Sequence, residues 1–323
     1  MDHASPRIGL VLGAGGVVGG AFHAGVLAAV EEVTGWDPRT AKVIVGTSAG
    51  SVAAASLRAG LAAPDLLART QGRPLSKDGA RLMKAVGPPR RPPALRLDAR
   101  PRRAADVAAT LRRAAARPFS APPWALLSGL IPEGTVSTSL ISDAVGSMLP
   151  GEWPNEDLWV CAVRQRDGRR IVFGRDDRTA PVADAVAASC AIPGFFAPVP
   201  IGDDSYIDGG IHSPTNADVL VGSGLDVVIV SSPMSLAGRA LRGIGPVRPW
   251  ARALLAAEVV RLRRRGAIVV AFQPSLDDAG VMGVNAMDAD RRAEVATHIH
   301  ASASRRLAHT DTRERLKPLF RAR

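Results

Sequence analysis

The chain has 323 residues, 46% hydrophobic and 22% charged, enough to bury a sizeable core and too balanced for a disordered or fibrous protein. No run reaches the roughly 18 uninterrupted apolar residues that a membrane span needs. The formal charge of +11 asks for a polyanionic partner, but only 4% of residues are aromatic and no recognition motif is present, which argues against nucleic acid and leaves an anionic lipid surface.

The first residues run directly into an apolar strand, without the basic segment, apolar stretch and cleavage site of an export signal. The expectation is a cytoplasmic protein, peripheral to membranes at most, with Cys161 and Cys190 as reduced thiols. Ile8 to Leu12 reads as that first strand. It breaks into Gly13-Ala14-Gly15-Gly16 and then Gly19-Gly20, before helical spacing from Ala21 to Val33. Val43 to Val45 is a second strand, cut by Gly46-Thr47-Ser48-Ala49-Gly50. Ser51 to Arg58 is small and alanine-rich, as a tightly packed helix requires. The opening sixty residues are therefore β-α-β-α with parallel strands.

Residues 71 to 135 change character. Prolines pair at 88–89, 92–93 and 122–123, and arginines stand at 90, 91, 96, 100, 102 and 103. This reads as an insertion with one helix, Ala104 to Ala116, and a Trp124-Ala125-Leu126-Leu127 segment suited to an apolar flap or to local core. The plainer account of its charge is coding bias, since lysine occurs only at 42, 77, 84 and 317. Strands return at Leu158 to Val163, Arg170 to Phe173, Asp226 to Ser231 and Ala267 to Phe272. Helices fit at Pro181 to Ala188, Asn216 to Val221, Trp250 to Arg264 and Asp290 to Ala308. The alternation predicts one doubly wound α/β domain spanning residues 1–323, ending in a helical segment at about 288–323.

Gly46-Thr47-Ser48-Ala49-Gly50 fits G-x-S-x-G, in which a serine sits on a strained strand-to-helix turn and flanking glycines avoid clashes. Its position between a predicted strand and a predicted helix is what that mechanism needs. Parallel neighbours end at one sheet edge, so the Gly13 to Gly20 loop should lie beside Ser48. Its backbone N–H groups would form a nest for the oxyanion of an attacked carbonyl. A dinucleotide reading of the same glycines fails on Val18 and on the lack of a carboxylate at the end of the second strand. For the partner of Ser48, His212, His298 and His300 are available. The last two lie on a late amphipathic helix, and His23, in the first helix, suits packing. Asp208-Gly209-Gly210 presents a carboxylate at a strand end, where glycines let backbone approach.

Four blocks in order resemble patatin-like phospholipases: Gly20-Ala21-Phe22-His23-Ala24-Gly25-Val26-Leu27 after the glycine loop, the Gly46 to Gly50 elbow, Ala188 to Val199, and Asp208-Gly209-Gly210. The resemblance implies a three-layer α/β/α fold with a mainly parallel central sheet and hydrolysis of lipid acyl esters. It also implies a Ser48–Asp208 dyad without histidine, supported by Gly46, Gly50, Gly209 and Gly210. The expected oxyanion donors are Gly15, Gly16, Val17 and Ala49. The sequence departs from the family where Gly19 takes the place of the usual arginine or lysine of the loop, and Val17 that of its third glycine. No cofactor or metal is expected, and the partners are a lipid or other acyl ester and an anionic membrane surface. Two other classes stay open: a serine esterase on small soluble esters, with or without His212, and a lipid-binding relative with weak catalysis.

Overall fold

The computed structural model describes residues 6–88, 134–151, 153–177, 179–237 and 247–320. Eight strands form one sheet: β1 (Ile8–Leu12), β2 (Val43–Thr47), β3 (Asp157–Arg164), β4 (Arg170–Phe173), β5 (Val199–Ile201), β6 (Asp204–Asp208), β7 (Val227–Ser231) and β8 (Ile268–Phe272). The order is β5-β6-β3-β2-β1-β7-β8, with β4 paired to β3. β1, β2, β3, β7 and β8 are mutually parallel, whereas β4 and β6 run antiparallel to β3.

Every residue of β1, β2 and β7 is buried, as expected of parallel strands covered on both faces. Their side chains alternate between two cores. Ile8, Leu10, Leu12, Ile44 and Ile229 enter the larger one, while Val11, Val43, Val45, Val228 and Val230 enter the smaller. The result is a three-layer α/β/α fold with a mainly parallel central sheet.

The helices that matter below are α1 (Gly16–Thr34), α2 (Ala49–Arg58), α3 (Ala63–Gln71), α4 (Lys77–Met83), α5 (Ser139–Met148), α6 (Val182–Ser189), α7 (Val247–Arg263), α8 (Leu276–Met282) and α9 (Arg292–Ala308). Two short helices follow, α10 (Thr310–Arg315) and α11 (Lys317–Phe320). α1 is long and apolar enough to cross a membrane, but two thirds of its most apolar window, 67%, is buried inside the protein. It is a core helix. A Cβ at Gly25 would lie 2.8 Å from the Ala296 carbonyl oxygen, so α1 and α9 pack almost backbone to backbone.

Three expectations need correction. α1 starts at Gly16, not Ala21, so the later glycines belong to the helix and the loop proper is Gly13 to Gly15. α2 starts at Ala49 rather than Ser51. The helix expected over Asn216 to Val221 is a single 3-10 turn, Ala217–Leu220, because the preceding Asn216 is left-handed. Within the expected insertion, residues 77–83 form α4. The expected helix at 104–116 and the segment at 124–127 lie outside the described residues.

Candidate active site

Strand register brings the two candidate catalytic residues together. β2 ends with Thr47 opposite Cys161 of β3, and β6 ends with Asp208 opposite Ala162. β4 spans residues 160 to 163 of β3, so it must occupy the other edge. β2 and β6 therefore share one edge of β3 and meet there head on. Ser48 leaves β2 at the meeting point, close enough for its hydroxyl to lower the Asp208 pKa.

Ser48 has φ 53° and ψ −126°, a strained conformation of the kind expected for an elbow nucleophile, costing on the order of 1–3 kcal/mol. The turn is tight on its far side too. A Cβ at Gly50 would overlap the Leu12 carbonyl at the end of β1, which is why glycine stands there. Ser48 is 3% exposed and Asp208 4%. Burial raises the Asp208 pKa to about 6, and the Ser48 hydroxyl and the Gly210 N–H partly offset that rise. The Gly210 N–H donates to Asp208 Oδ1 at 2.7 Å. Such a carboxylate is ionised near neutrality, yet basic enough to take a proton.

Among the described residues, the glycine loop and the start of α2 carry backbone N–H groups without an acceptor, those of Gly15, Gly16, Val17 and Ala49. Those of Gly13, Ala14 and Val18 go instead to the carbonyls of Ser231, Pro214 and Ala286. Gly16, Val17, Ser48 and Ala49 line one cavity of about 400 Å³, whose other walls are largely apolar, among them Val52, Leu66, Ile141 and Phe196. Gly19, where the resemblance expects a cation, is buried with its absent Cβ directed at Pro233, 3.2 Å away. A side chain there would have to press Pro233 aside.

Histidine stays apart from Ser48. His212 is depressed to about 4 by burial and by Arg170, with Asp218 opposing, so its surroundings are those of Arg170 and not of Asp208. His298 pairs with Asp278 at 2.9 Å and His300 with Glu32 at 2.8 Å. His23 is fully buried between the Gly13 carbonyl and the Ser231 hydroxyl, at 2.7 and 2.8 Å. Burial lowers its pKa to about 4. It braces the loop as a neutral ring. Among the described residues, no group of three His, Cys, Asp or Glu side chains is placed to hold a metal ion. Both cysteines are buried thiols.

Two residues escaped the sequence reading. The Ser48 N–H donates to Ser189 Oγ at 2.9 Å, and that hydroxyl donates to the Cys161 carbonyl at 2.6 Å. The Asp208 N–H donates to the Ala191 carbonyl at 3.0 Å. The end of α6 and the residues just after it thus hold both candidate residues. Asn216 is buried and, with Ser48, is one of two non-glycine residues of positive φ among the described residues. Its Nδ2 reaches Thr47 Oγ1 at 3.1 Å, the Gly209 carbonyl at 3.3 Å and the Ser213 carbonyl at 2.6 Å. Behind it, the buried Glu258 of α7 accepts from Ser213, Thr215 and the Ala217 N–H. The signal for Ser189 lay in the Ala188 to Val199 block; Asn216 had none.

A family model described as patatin-like phospholipase matches residues 10–221. No curated protein sequence matches the chain. Among solved structures, the crystal structure of VipD from Legionella pneumophila is similar at 12% identity and a TM-score of 0.41, covering 94% of this chain. The chain spans 66% of the length of that protein.

Proposed function

The chain belongs to the patatin-like phospholipase family, and we propose that it hydrolyses lipid acyl esters with Ser48 as nucleophile and Asp208 as its base. The observation that carries this reading is the head-on meeting of β2 and β6, which brings Ser48, on the wall of a largely apolar cavity, next to the buried carboxylate of Asp208.

Ser48 Oγ attacks the ester carbonyl while its proton passes to Asp208. Negative charge then develops on the carbonyl oxygen, and the unpaired N–H groups of Gly15, Gly16, Val17 and Ala49 are the donors available to it. The start of α2, directly after Ser48, adds the positive end of a helix dipole. Collapse expels the alcohol, which takes the proton from Asp208, and leaves an acyl-enzyme. Asp208 then accepts a proton from water as the water attacks, and the returning proton restores the Ser48 hydroxyl. An apolar cavity of about 400 Å³ suits an acyl chain better than a small polar ester, which supports a lipid substrate.

The test is labelling with a fluorophosphonate, followed by peptide mapping. The expected adduct is on Ser48, absent in Ser48→Ala together with ester hydrolysis. Label on another residue, or turnover retained above a few per cent in Ser48→Ala, would refute the assignment.

A bilayer substrate also requires access. Leu140, which lines the cavity, is 40% exposed, and Val284 is fully exposed three residues before the cavity-lining Met287. We propose reversible docking on anionic membranes around this mouth. The arginine-rich stretch at 90–117 lies outside the described residues. Liposome co-sedimentation should depend on anionic lipid and fade with salt, and equal binding to neutral liposomes would count against a role for charge.

A further inference from the structure

The buried face of α7 is Ala251, Leu255, Glu258 and Leu262, at the spacing of an apolar helical stripe. Three of these are hydrophobic, and the remaining place holds a carboxylate that is 4% exposed. A charge in such a place is costly unless its oxygens are served by donors. Both are. Glu258 Oε1 accepts from the Ser213 hydroxyl at 2.6 Å, and Oε2 accepts from the Thr215 hydroxyl at 2.5 Å and the Ala217 N–H at 3.0 Å.

Ser213 Oγ itself accepts the N–H groups of Thr215 at 3.3 Å and Asn216 at 3.1 Å. Its two lone pairs are therefore taken, and only its proton is left to give. The Ala217 N–H can only donate. These surroundings call for a group that only accepts, which an ionised carboxylate is and a carboxamide is not. Burial pushes the Glu258 carboxyl upward, and the Ser213 and Thr215 hydroxyls oppose that rise.

The segment that Glu258 holds, Ser213 to Ala217, is tied to the site at three points. The Pro214 carbonyl accepts the Ala14 N–H at 2.7 Å, one residue before Gly15. The Asn216 amide reaches Thr47 Oγ1, one residue before Ser48, and the Gly209 carbonyl, one residue after Asp208. Glycine loop, nucleophile and base follow or end three different strands, β1, β2 and β6, and this one segment is bonded next to each. Glu258 stands apart from the cavity. Its α7 neighbours Leu255 and Leu262 pack in the smaller core, whereas the cavity-lining Val52, Ile141 and Phe196 pack with the larger.

We infer that Glu258 is a positioning residue: through Ser213 to Ala217 its carboxylate holds the ends of β1, β2 and β6 in the mutual placement that the reaction needs, without touching substrate. The inference rests on the proposed roles of Ser48 and Asp208 and extends their support to the helix layer on the far face of the sheet.

The test is steady-state kinetics on a p-nitrophenyl acyl ester, with thermal unfolding, for the wild-type chain and Glu258→Gln. Glutamine keeps the volume but sets an NH2 group against donors. The kcat should fall about 10- to 100-fold, as for loss of hydrogen bonds to a charged group, with KM changed far less because the cavity keeps its walls. In a double variant with Asn216→Gly, the loss should be smaller than the product of the two single losses, since both substitutions cut the same tie. Thr215→Val removes one donor at nearly constant shape and should lower kcat about 3- to 10-fold; it decides the matter if Glu258→Gln does not fold. A lower unfolding temperature with wild-type kcat, in either single variant, would overturn the inference and leave Glu258 a purely structural group. A double variant that loses the full product would overturn the route through the segment. Absence of turnover by the wild-type chain, with no fluorophosphonate adduct on Ser48, would instead overturn the reading of Ser48 and the inference with it.

Discussion

The Ser189 hydroxyl accepts the backbone N–H of Ser48 at 2.9 Å while donating to the Cys161 carbonyl at 2.6 Å. A single buried side chain thus fixes the strained φ of the elbow against β3. Replacing it with alanine leaves a buried donor and a buried acceptor unpaired, at about 1–3 kcal/mol for each group. Ser189→Ala should lower kcat about 10- to 100-fold with KM changed far less, because the elbow relaxes while the acyl cavity keeps its walls. Steady-state kinetics alongside thermal unfolding decide it. An equal rise in KM at constant kcat would show that Ser189 shapes the cavity instead.

Asp208 separates activity from stability. Burial holds its pKa near 6 against an ordinary 3.8, a difference of about 3 kcal/mol at neutral pH. Asp208→Asn should abolish turnover and raise the unfolding temperature at pH 7. His212→Ala should leave most activity, since the ring sits among Arg170 and Asp218. Loss of activity in His212→Ala with retention in Asp208→Asn would transfer the base to histidine.

The parallel core was legible because β1, β2 and β7 are continuous apolar runs, and the elbow because a serine between glycines followed one of them. The β5–β6 hairpin was not, since β6 begins with Asp204 and Ser205 and shows no alternation until Tyr206. That hairpin is what carries Asp208 to Ser48, so sequence supplied the pair of residues and only tertiary register supplied their meeting. Asn216 was hidden for a related reason. It looked like a helix start, and its left-handed φ of 51° becomes intelligible only once its amide is seen between Thr47 and Gly209.

Asn216 makes a further prediction possible. Its amide ties the residue before Ser48 to the residue after Asp208, and its oxygen accepts from Arg170 at 3.0 Å. Asn216→Gly relieves the backbone strain but deletes the tie; Asn216→Ala also deletes the tie and keeps the strained Cβ, without the asparagine amide that favours the left-handed conformation. Stability should rank wild type above Gly above Ala, whereas kcat should fall by a similar factor, about tenfold or more, in both. A glycine variant with wild-type kcat would reduce Asn216 to a backbone role.

Acid should act on function and fold in opposite ways through two groups. Asp208 must be ionised to serve as base, so kcat/KM should decline below about pH 6. Its folded pKa is raised, however, so its contribution to stability is present below 3.8 and lost as pH rises through about 6. His23 has the reverse sign. Its folded pKa is depressed from 6.5 to about 4, so its stabilisation is present above 6.5 and is lost as pH falls toward 4. His23→Gln keeps hydrogen-bonding capacity without a titrating ring, and should flatten the acid loss of unfolding temperature between pH 6.5 and 4. Asp208→Asn should steepen that loss, because it removes the one of the two groups that gains on acidification. Parallel unfolding curves for the three proteins across this window would mean that neither group titrates with the environment described for it.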